Sequence, residues 1–234
     1  MKNVLIDLND LLKLFSNKTD IEKLRFLENI DIRDSHLSLL LFSYLQYRVQ
    51  TNNCKIDFVD GYIYQILIEA NNEDINELIS FNFKEGIINL TSKSGIDHID
   101  LHNLLLFKKF QEADKLTNKQ LYQLANLPDN SRQWLYFTDI LSLPVQDILI
   151  IDQLWRIYSK GKFGFSVQHK IWLTVDKRWN LLWDKLGWQE KGHFCRYPDD
   201  FMWSLDAPPG HLPLFNQLKG NTVLSAILNL EIWN

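Results

Sequence analysis

Cysteine is scarce in this 234-residue chain, which has only Cys54 and Cys195, far apart in the sequence. Two such residues provide neither a disulfide framework nor the Cys-x-x-Cys spacing of a zinc site, so we expect both to be reduced thiols. Long apolar runs are missing too. The longest, from Leu37 to Leu45, is interrupted by serines and is less than half the roughly 20 residues that a membrane-spanning helix needs. The sequence therefore predicts no transmembrane helix.

Basic residues are also in short supply. The 25 lysines and arginines are outnumbered by 29 aspartates and glutamates, which gives a net charge of −4 and a pI near 5.9. A protein that binds nucleic acid through its phosphates needs a basic face, so we expect no nucleic-acid partner. The start of the chain, MKNVLIDLNDLL, contains two aspartates, unlike a secretory signal or a transit peptide. We expect the protein to work where it is made.

The composition changes along the chain. All eight tryptophans lie at or after Trp134, and seven of the nine glycines lie from Gly95 onward. Residues 1–90 carry 9 basic and 14 acidic side chains, whereas the rest carry 16 and 15. With 46% hydrophobic residues the chain is able to build two modest cores. We predict two domains, residues 1–90 and 91–234.

The first half has the periodicity of short amphipathic helices. Apolar residues recur at helical spacing from Val4 to Phe15, and Thr19 with Glu22 forms a capping box before the next apolar stripe. Further helices are predicted from Asp34 to Tyr47, from Phe58 to Ala70 and from Asn72 to Ile79. This pattern predicts an antiparallel helical stack. It contains no catalytic cluster, and a scaffold or docking role fits it best.

The second half is also predicted to be helical. Thr117 with Gln120 is predicted to cap a helix, Pro144 suits the first turn of the next, and Gly187 is predicted to end a later one. Four of the six prolines lie between Trp188 and Pro213, and such an irregular segment is usually functional or mobile. A last helix is predicted from Asn221 to Leu228. The fold class is therefore all-α.

Three patterns resemble chemical sites, and each is weak. The loop KGKFGFS lacks the GxxxxGK[ST] spacing of a phosphate cradle, so we interpret it as a helix–helix turn. His193, Cys195 and His211 are a poor match to a tetrahedral metal site. Asp152 and His169 have no nucleophile at a recognisable spacing, so we expect them to cap helices or form hydrogen bonds. The sequence predicts no metal site and no enzyme.

Aromatic residues fall into two groups. Trp155, Trp172 and Trp183 recur at helical spacing and are predicted to be core. Aromatics in turn-rich stretches have less reason to be buried, and they are candidates to line an apolar cleft: Tyr136, Phe137, Phe194, Tyr197, Phe201 and Phe215. Candidate rim residues are Arg132, Arg196, Asn216 and Lys219. Such a cleft suits a flat apolar ligand with acidic edges.

Four segments resemble a known family: SGIDHIDLHNLL, RQWLYF, IDQLWRIYSKGKFGFSVQHKIW and APPGHLPLFNQLKG. They resemble the genomes-uncoupled-four domain, a tetrapyrrole-binding regulator of magnesium chelatase, over about residues 94–230. YSKGKFGFSVQ and APPGHLPLFNQL are long and unusual in composition, which makes them specific. The helical first half looks like the variable N-terminal extension of cyanobacterial and algal plastid members.

The resemblance implies an all-helical domain shaped like a cupped hand. It implies protoporphyrin IX and magnesium protoporphyrin IX as ligands, with no cofactor of the protein's own. It also implies a partner, the large porphyrin-binding subunit of magnesium chelatase, which the protein activates without doing chemistry itself. The implied setting is the plastid stroma or the cyanobacterial cytoplasm. We expect a monomer, and leave open a peripheral association with a membrane.

The resemblance also implies site residues. The cleft-wall positions correspond to Phe137 and Ile140, which would contact the face of the macrocycle. Tyr197 lies where other members often have tryptophan, so the aromatic wall is kept but smaller. His211 is left out of the ligand set, because a histidine before Leu-Pro in a turn is as easily structural.

The GHLPLFNQLKG motif supplies the remaining predicted contacts, which are Leu214, Phe215, Asn216 and Lys219. Lys219 replaces the arginine of the family motif, and lysine is a point charge where arginine is a planar fork. Thr222 replaces a second cation that some members have. Altered affinity for the same ligand class is therefore expected. The alternative is a docking or sensing protein for the chelatase with weak or lost porphyrin binding.

Overall fold

The computed structural model of the chain describes residues 7–51, 55–127, 132, 134–215 and 221–233. Within these ranges the secondary structure is twelve α-helices, one short hairpin and a 3-10 turn, which confirms the all-α prediction. The chain divides into two compact units, residues 1–89 and 90–234, called unit 1 and unit 2 below. None of the helices in the described ranges is long and apolar enough to cross a membrane.

Unit 1 is a stack of short helices with polar starts. Its described helices are α1 Leu8–Ser16, α2 Asp20–Glu28, α3 Ser35–Gln50, α4 Phe58–Glu69 and α5 Glu73–Asn82. Each begins after a residue whose side chain accepts a hydrogen bond from a first-turn N–H. The predicted capping box of Thr19 and Glu22 is confirmed. α3 packs against α1, α4 and α5, and α2 packs against α4.

Unit 2 holds the remaining elements. They are α6 Ile99–Leu106, α7 Phe110–Leu124, α8 Phe137–Leu141, α9 Val145–Ile157, α10 Phe165–Thr174, α11 Trp179–Leu186, β1 Gln189–Glu190, β2 His193–Phe194, α12 Thr222–Leu228 and the 3-10 turn Glu231–Trp233. The strands form an antiparallel hairpin in which Gln189 is opposite Phe194. Gly187 ends α11 in the left-handed conformation, as predicted.

The core of unit 2 is aromatic. Trp155, Trp172 and Trp183 are buried, as predicted. Trp155 lies 6.1 Å from Phe110, ring centre to ring centre. A second group of neighbouring indoles is formed by Trp172, Trp179, Trp183 and Trp188 at successive distances of 4.2, 5.0 and 5.5 Å. Large planar side chains such as these contribute much of the buried apolar area that stabilises a small helical domain.

The predicted cap at Thr117 is wrong. α7 begins at Phe110, so Thr117 and Gln120 both lie inside it and point into the core. The Thr117 hydroxyl accepts a hydrogen bond from Nε1 of Trp155 at 3.0 Å. The Gln120 amide donates to the main-chain oxygen of Asp97 at 2.9 Å. The side chains that the sequence pattern assigned to a helix start are therefore hydrogen-bonded to residues outside α7.

The KGKFGFS segment contains the turn between α9 and α10, as predicted, and its last two residues begin α10. Gly164 has φ +124°, and a Cβ there would lie 2.8 Å from Oδ1 of Asp152. Asp152 accepts hydrogen bonds from the main-chain N–H of Ser166 at 2.8 Å and from its hydroxyl at 2.7 Å. His169 contacts the main-chain oxygen of Leu228 through Nδ1 at 2.6 Å. Asp152 and His169 therefore have the structural roles that the sequence predicted.

Candidate functional site

Residues 210–215, which we call the strap, are held by partners from several parts of unit 2. Gly210 N–H donates to Lys162 O at 2.7 Å, and Leu212 O accepts from Gly164 N–H at 2.9 Å. Nε2 of Gln168 donates to the main-chain oxygens of Gly210 and Pro213 at 2.9 and 2.8 Å. The strap is thus a buried segment in which most backbone polar groups are bonded, and in the sequence it directly precedes the predicted contacts Asn216 and Lys219.

Glycine is required at the start of the strap. Gly210 has φ +75°, and a Cβ there would lie 2.6 Å from Cδ2 of Leu186 and 2.8 Å from Cδ1 of Ile171. Leu186 is buried and Ile171 is half-buried, so a larger residue would have to displace both side chains. The close approach explains why the APPGHLPLF motif has glycine at this position.

His211 is a structural residue of the strap. Its Nδ1 contacts the main-chain oxygen of Leu186 at 2.6 Å, and its Nε2 accepts from the N–H of Met202 at 3.0 Å. Burial lowers the pKa of the His211 imidazole, which favours the neutral ring that these two partners require. Nε1 of Trp188 donates to His211 O at 2.8 Å. Both ring nitrogens are in use, so His211 is not available as a metal ligand.

Among the residues that the structure describes, no group of three or more metal-ligating side chains comes together. The exposed His193 lies on β2, and Sγ of Cys195 is directed to the main-chain oxygen of Gly187 at 3.6 Å. Cys195 and His211 therefore have separate partners, and His193 lies exposed on the hairpin.

Asp114 is a buried carboxylate that sequence analysis missed. It lies on α7, and its Oδ1 accepts a hydrogen bond from the N–H of Leu214 at 2.7 Å. Burial raises the pKa of Asp114 to about 7, although the Leu214 N–H and the charge of Lys115 act in the opposite direction. A signal was present: Phe110, Ala113, Asp114, Thr117 and Leu121 share the helical spacing of a core face, where an aspartate needs a bonding partner.

Tyr197 belongs to an aromatic group next to the strap. Its ring centre is 5.8 Å from that of Trp203 and 6.5 Å from that of Phe201, which in turn is 5.6 Å from His211. Tyr197 is half-exposed, whereas Phe201 is buried. Burial first, and then the charge of Asp114, raises the pKa of the Tyr197 hydroxyl. Tyr197 therefore presents an exposed ring within the electrostatic reach of Asp114.

Two aromatics expected to be free for a cleft are instead packed. Phe201 contacts His211, and Phe215 lies 5.8 Å from Phe165 at the start of α10, ring centre to ring centre. The expectation that they escape burial was wrong, because the strap and its neighbours bury one face of this irregular segment. Phe215 and the equally buried Leu214 stay predicted ligand contacts, with most of their surface already covered.

α8 and the residues before it expose a group of large apolar side chains, which we call the α8 cluster. Its members are Trp134, Tyr136, Phe137 and Leu141, with 40% to 67% of their surface exposed. Ile140, the neighbour of Leu141, is buried, and α8 packs against α12. Phe137 therefore faces solvent, while Ile140 lies in the packed interior beneath it.

Arg132 contacts residues of α8 and the α8 cluster. Its guanidinium donates to Asp139 at 2.7 Å and lies 4.1 Å from the centre of the Tyr136 ring. Asp139 also accepts from the Tyr136 N–H at 2.6 Å, which closes the first turn of α8. The second rim candidate, Arg196, has an exposed side chain. The other two, Asn216 and Lys219, lie outside the described residues.

Packing connects the two groups of predicted residues. α8, with Phe137 and Ile140, packs on α12, and α12 packs on α10. Phe165 of α10 then contacts Phe215 of the strap.

A separate cavity of about 500 Å³ opens between α6 and α7 and contains none of the predicted site residues. It is lined by Asp100, Asn103, Leu104, Glu112, Lys115, Leu116 and Lys119.

This geometry defines an all-α domain with an exposed aromatic cluster and a braced strap. The sequence profile of the family described as GUN4-like matches residues 91–231. A Porphyra purpurea protein named ycf53 is 41% identical over 236 aligned residues, which cover 100% of this chain and 99% of that one. The chain therefore belongs to the GUN4-like family, as the sequence motifs indicated.

Two further similarities each cover more than half of the chain. An Arabidopsis thaliana relative, named a chloroplastic tetrapyrrole-binding protein, is 34% identical over 138 residues, which cover 55% of this chain and 52% of that protein. The structure of GUN4 from Chlamydomonas reinhardtii has a TM-score of 0.58 and 36% identity, over 62% of this chain and 93% of that one. The chain thus shares its fold with a solved family member over 62% of its length.

Proposed function

We propose that unit 2 binds protoporphyrin IX and magnesium protoporphyrin IX as ligands, and that the protein activates magnesium chelatase without doing chemistry itself. The observation that carries the proposal is the α8 cluster. Large apolar side chains that are exposed and follow one another so closely in the sequence favour a binding surface at this helix. The Arabidopsis relative named for tetrapyrrole binding supports this choice of ligand.

The chemistry of the residues suits a porphyrin. A macrocycle is flat and apolar, and its faces favour aromatic neighbours such as Phe137 and Tyr197. Its propionates are anionic and favour a cation or an amide at the rim, the roles proposed for Lys219 and Asn216. In this proposal Ile140, Leu214 and Phe215 contact or support the ring from the packed side.

The titratable groups of unit 2 support a binding role over a catalytic one. Asp152 binds Ser166, His211 binds Leu186 and Met202, and both pairs hold the backbone in place. His98 is buried between Gln120 and Asp147, at 3.2 and 3.0 Å from their side-chain oxygens. These groups have structural partners, whereas an acid–base pair must face a bound substrate.

Titration with magnesium protoporphyrin tests ligand binding. We expect saturable quenching of tryptophan fluorescence and a shift of the Soret band at micromolar ligand. Phe137→Ala should weaken binding by removing an exposed wall of the site. Phe107→Ala is the matched control, because Phe107 is 59% exposed and Phe137 is 52% exposed, and Phe107 lies between α6 and α7. Equal affinity in both variants would remove the α8 cluster from the site.

The chelatase partner and the setting are proposed from the family resemblance. We propose the large porphyrin-binding subunit of magnesium chelatase as the partner, in the plastid stroma or the cyanobacterial cytoplasm. Purified chelatase subunits should insert Mg²⁺ into protoporphyrin IX faster when the protein is added. An unchanged rate over a range of protein and porphyrin concentrations would contradict the activator role.

The second candidate is a docking or sensing protein with weak or lost porphyrin binding. The resemblance favours it at two positions: Lys219 replaces the arginine of the family motif, and Thr222 replaces a second cation that some members have. Stimulation of the chelatase that survives in a variant unable to bind porphyrin would support this alternative. Loss of stimulation in step with loss of binding would support the first.

A further inference from the structure

The clearest unassigned group near the proposed site is the carboxylate of Asp114. It is 2% exposed and lies on the buried face of α7, where an unpaired charge is costly. Its Oδ1 is 2.7 Å from the main-chain nitrogen of Leu214, and the two residues are 100 positions apart in the sequence. The hydrogen bond therefore joins α7 to the strap.

Asp114 and Gln168 hold adjacent parts of the strap. Gln168 donates to Pro213 O at 2.8 Å, and Asp114 accepts from the next residue, Leu214. These bonds come just before Asn216 and Lys219, the two residues proposed to meet the ligand's polar edge. Loosening of this bond would act first on Leu214 and its neighbour Phe215, which are themselves predicted ligand contacts.

We propose that Asp114 is a positioning residue of the tetrapyrrole site, whose carboxylate fixes the strap through Leu214 and makes ligand affinity depend on its ionisation. This inference rests on the proposed function of unit 2. The ionised carboxylate accepts a charge-assisted hydrogen bond, which is roughly twice as strong as that of the neutral acid. Ligand affinity therefore rises as Asp114 loses its proton.

The surroundings of Asp114 place this change near neutral pH. Burial raises its pKa to about 7. The charged and titratable groups that face it are Lys115 and Tyr122 on α7 and Tyr197 from the segment after β2. The strap faces it through the N–H of Leu214. Burial, followed by the charge of Asp114, raises the pKa of both tyrosines, so neither competes with Asp114 for a proton at pH 6–8.

The decisive variant is Asp114→Asn, because an asparagine has the size of the protonated acid and can still accept from Leu214. The dissociation constant for magnesium protoporphyrin should fall about fivefold from pH 6 to pH 8 in the unmodified protein. Asp114→Asn should keep the weaker value throughout. Glu112→Gln is the control: it removes an exposed carboxylate from the same helix and should keep the original pH profile.

A ligand-free measurement tests the contact itself. With ¹⁵N-leucine labelling, the amide proton of Leu214 should shift with a midpoint near pH 7, and this shift should vanish in Asp114→Asn. If that variant does not fold, the midpoints of the Leu214 shift and of ligand affinity in the unmodified protein must coincide. Midpoints that differ would overturn the proposal, and so would an Asp114→Asn protein with an unchanged pH profile.

The same measurements separate this inference from the proposed function. No saturable quenching by the unmodified protein at any pH would overturn porphyrin binding, and the positioning role with it. Binding with a pH profile shared by the unmodified protein and Asp114→Asn would overturn the positioning role alone.

Discussion

Nε1 of Trp155 donates a hydrogen bond to the hydroxyl of Thr117 at 3.0 Å, and this bond joins α9 to α7 inside the core of unit 2. Both side chains are buried, so water cannot replace either partner. A buried indole N–H without an acceptor carries its full desolvation cost. The pair thus shows how a polar contact holds the position of two apolar helices.

Thr117→Val should destabilise unit 2 by about 1–3 kcal/mol, because valine keeps the shape of threonine but leaves the Trp155 N–H unpaired. Urea unfolding followed by tryptophan fluorescence measures this, since all eight tryptophans lie in unit 2. Thr174→Val is the control, because that hydroxyl is exposed and donates only to Ile171 O within the same helix. Equal stability in the two variants would contradict the role of the Trp155 bond.

Gly210→Ala should destabilise the strap for two reasons, the positive φ and the contacts at 2.6 and 2.8 Å with Leu186 and Ile171. Gly192→Ala separates them, because Gly192 has φ +80° and open space around it. The positive φ costs about 1–2 kcal/mol in both variants. Overpacking should add about 1–3 kcal/mol to Gly210→Ala alone. Urea midpoints that match between the variants would show that the strap has room for a methyl group.

Periodicity predicted the helices well because each helix depends on residues close together in the sequence. The predicted start at Phe58 is the observed start of α4, and Gly187 ends α11 as expected. The predicted cap at Thr117 was wrong because the true partner of Thr117 is distant in the sequence. Its capping pattern was local, but its partner, Trp155, is 38 residues away, and no local rule contains that contact.

The burial of the candidate site residues was predicted only in part because burial is a tertiary property. Exposed Phe137 and Tyr197 were named from motif and loop position, whereas the burial of Phe201 and Phe215 depends on how the strap packs. Asp114 was missed because its partner is a main-chain N–H 100 residues away. The short hairpin of β1 and β2 was also missed, since two-residue strands are too short to show alternation.

His211 should make unit 2 less stable in acid. Burial lowers the pKa of its imidazole below the ordinary 6.5, so the unfolded chain binds the proton more readily than the folded protein does. The stability that neutral His211 contributes is present above pH 6.5 and is lost as the pH falls through the lowered value. Protonation puts a hydrogen on Nε2, which then cannot accept from Met202 N–H.

His211→Asn should remove this part of the pH dependence, and His193→Asn, which changes an exposed histidine on β2, should keep it. Asp114 has the opposite effect on the pH dependence of stability. Its pKa is raised to about 7, so the stability that the protonated carboxyl contributes is lost as the pH rises toward 7. The informative quantity is therefore the difference in urea stability between each variant and the unmodified protein from pH 5 to 7.5. A constant difference for His211→Asn would show that the pKa of His211 is the same in the folded and the unfolded protein.

Lys219 is the sequence position at which porphyrin affinity should be easiest to change. If its ammonium meets a propionate, Lys219→Ala should weaken binding of magnesium protoporphyrin by about tenfold, the loss expected for a charged hydrogen bond. Lys219→Arg should preserve or strengthen binding, because a guanidinium can bind a carboxylate with two parallel bonds. Lys191→Ala controls for the loss of a positive charge, since Lys191 is exposed next to the hairpin. Equal dissociation constants for lysine, alanine and arginine at position 219 would remove this residue from the site.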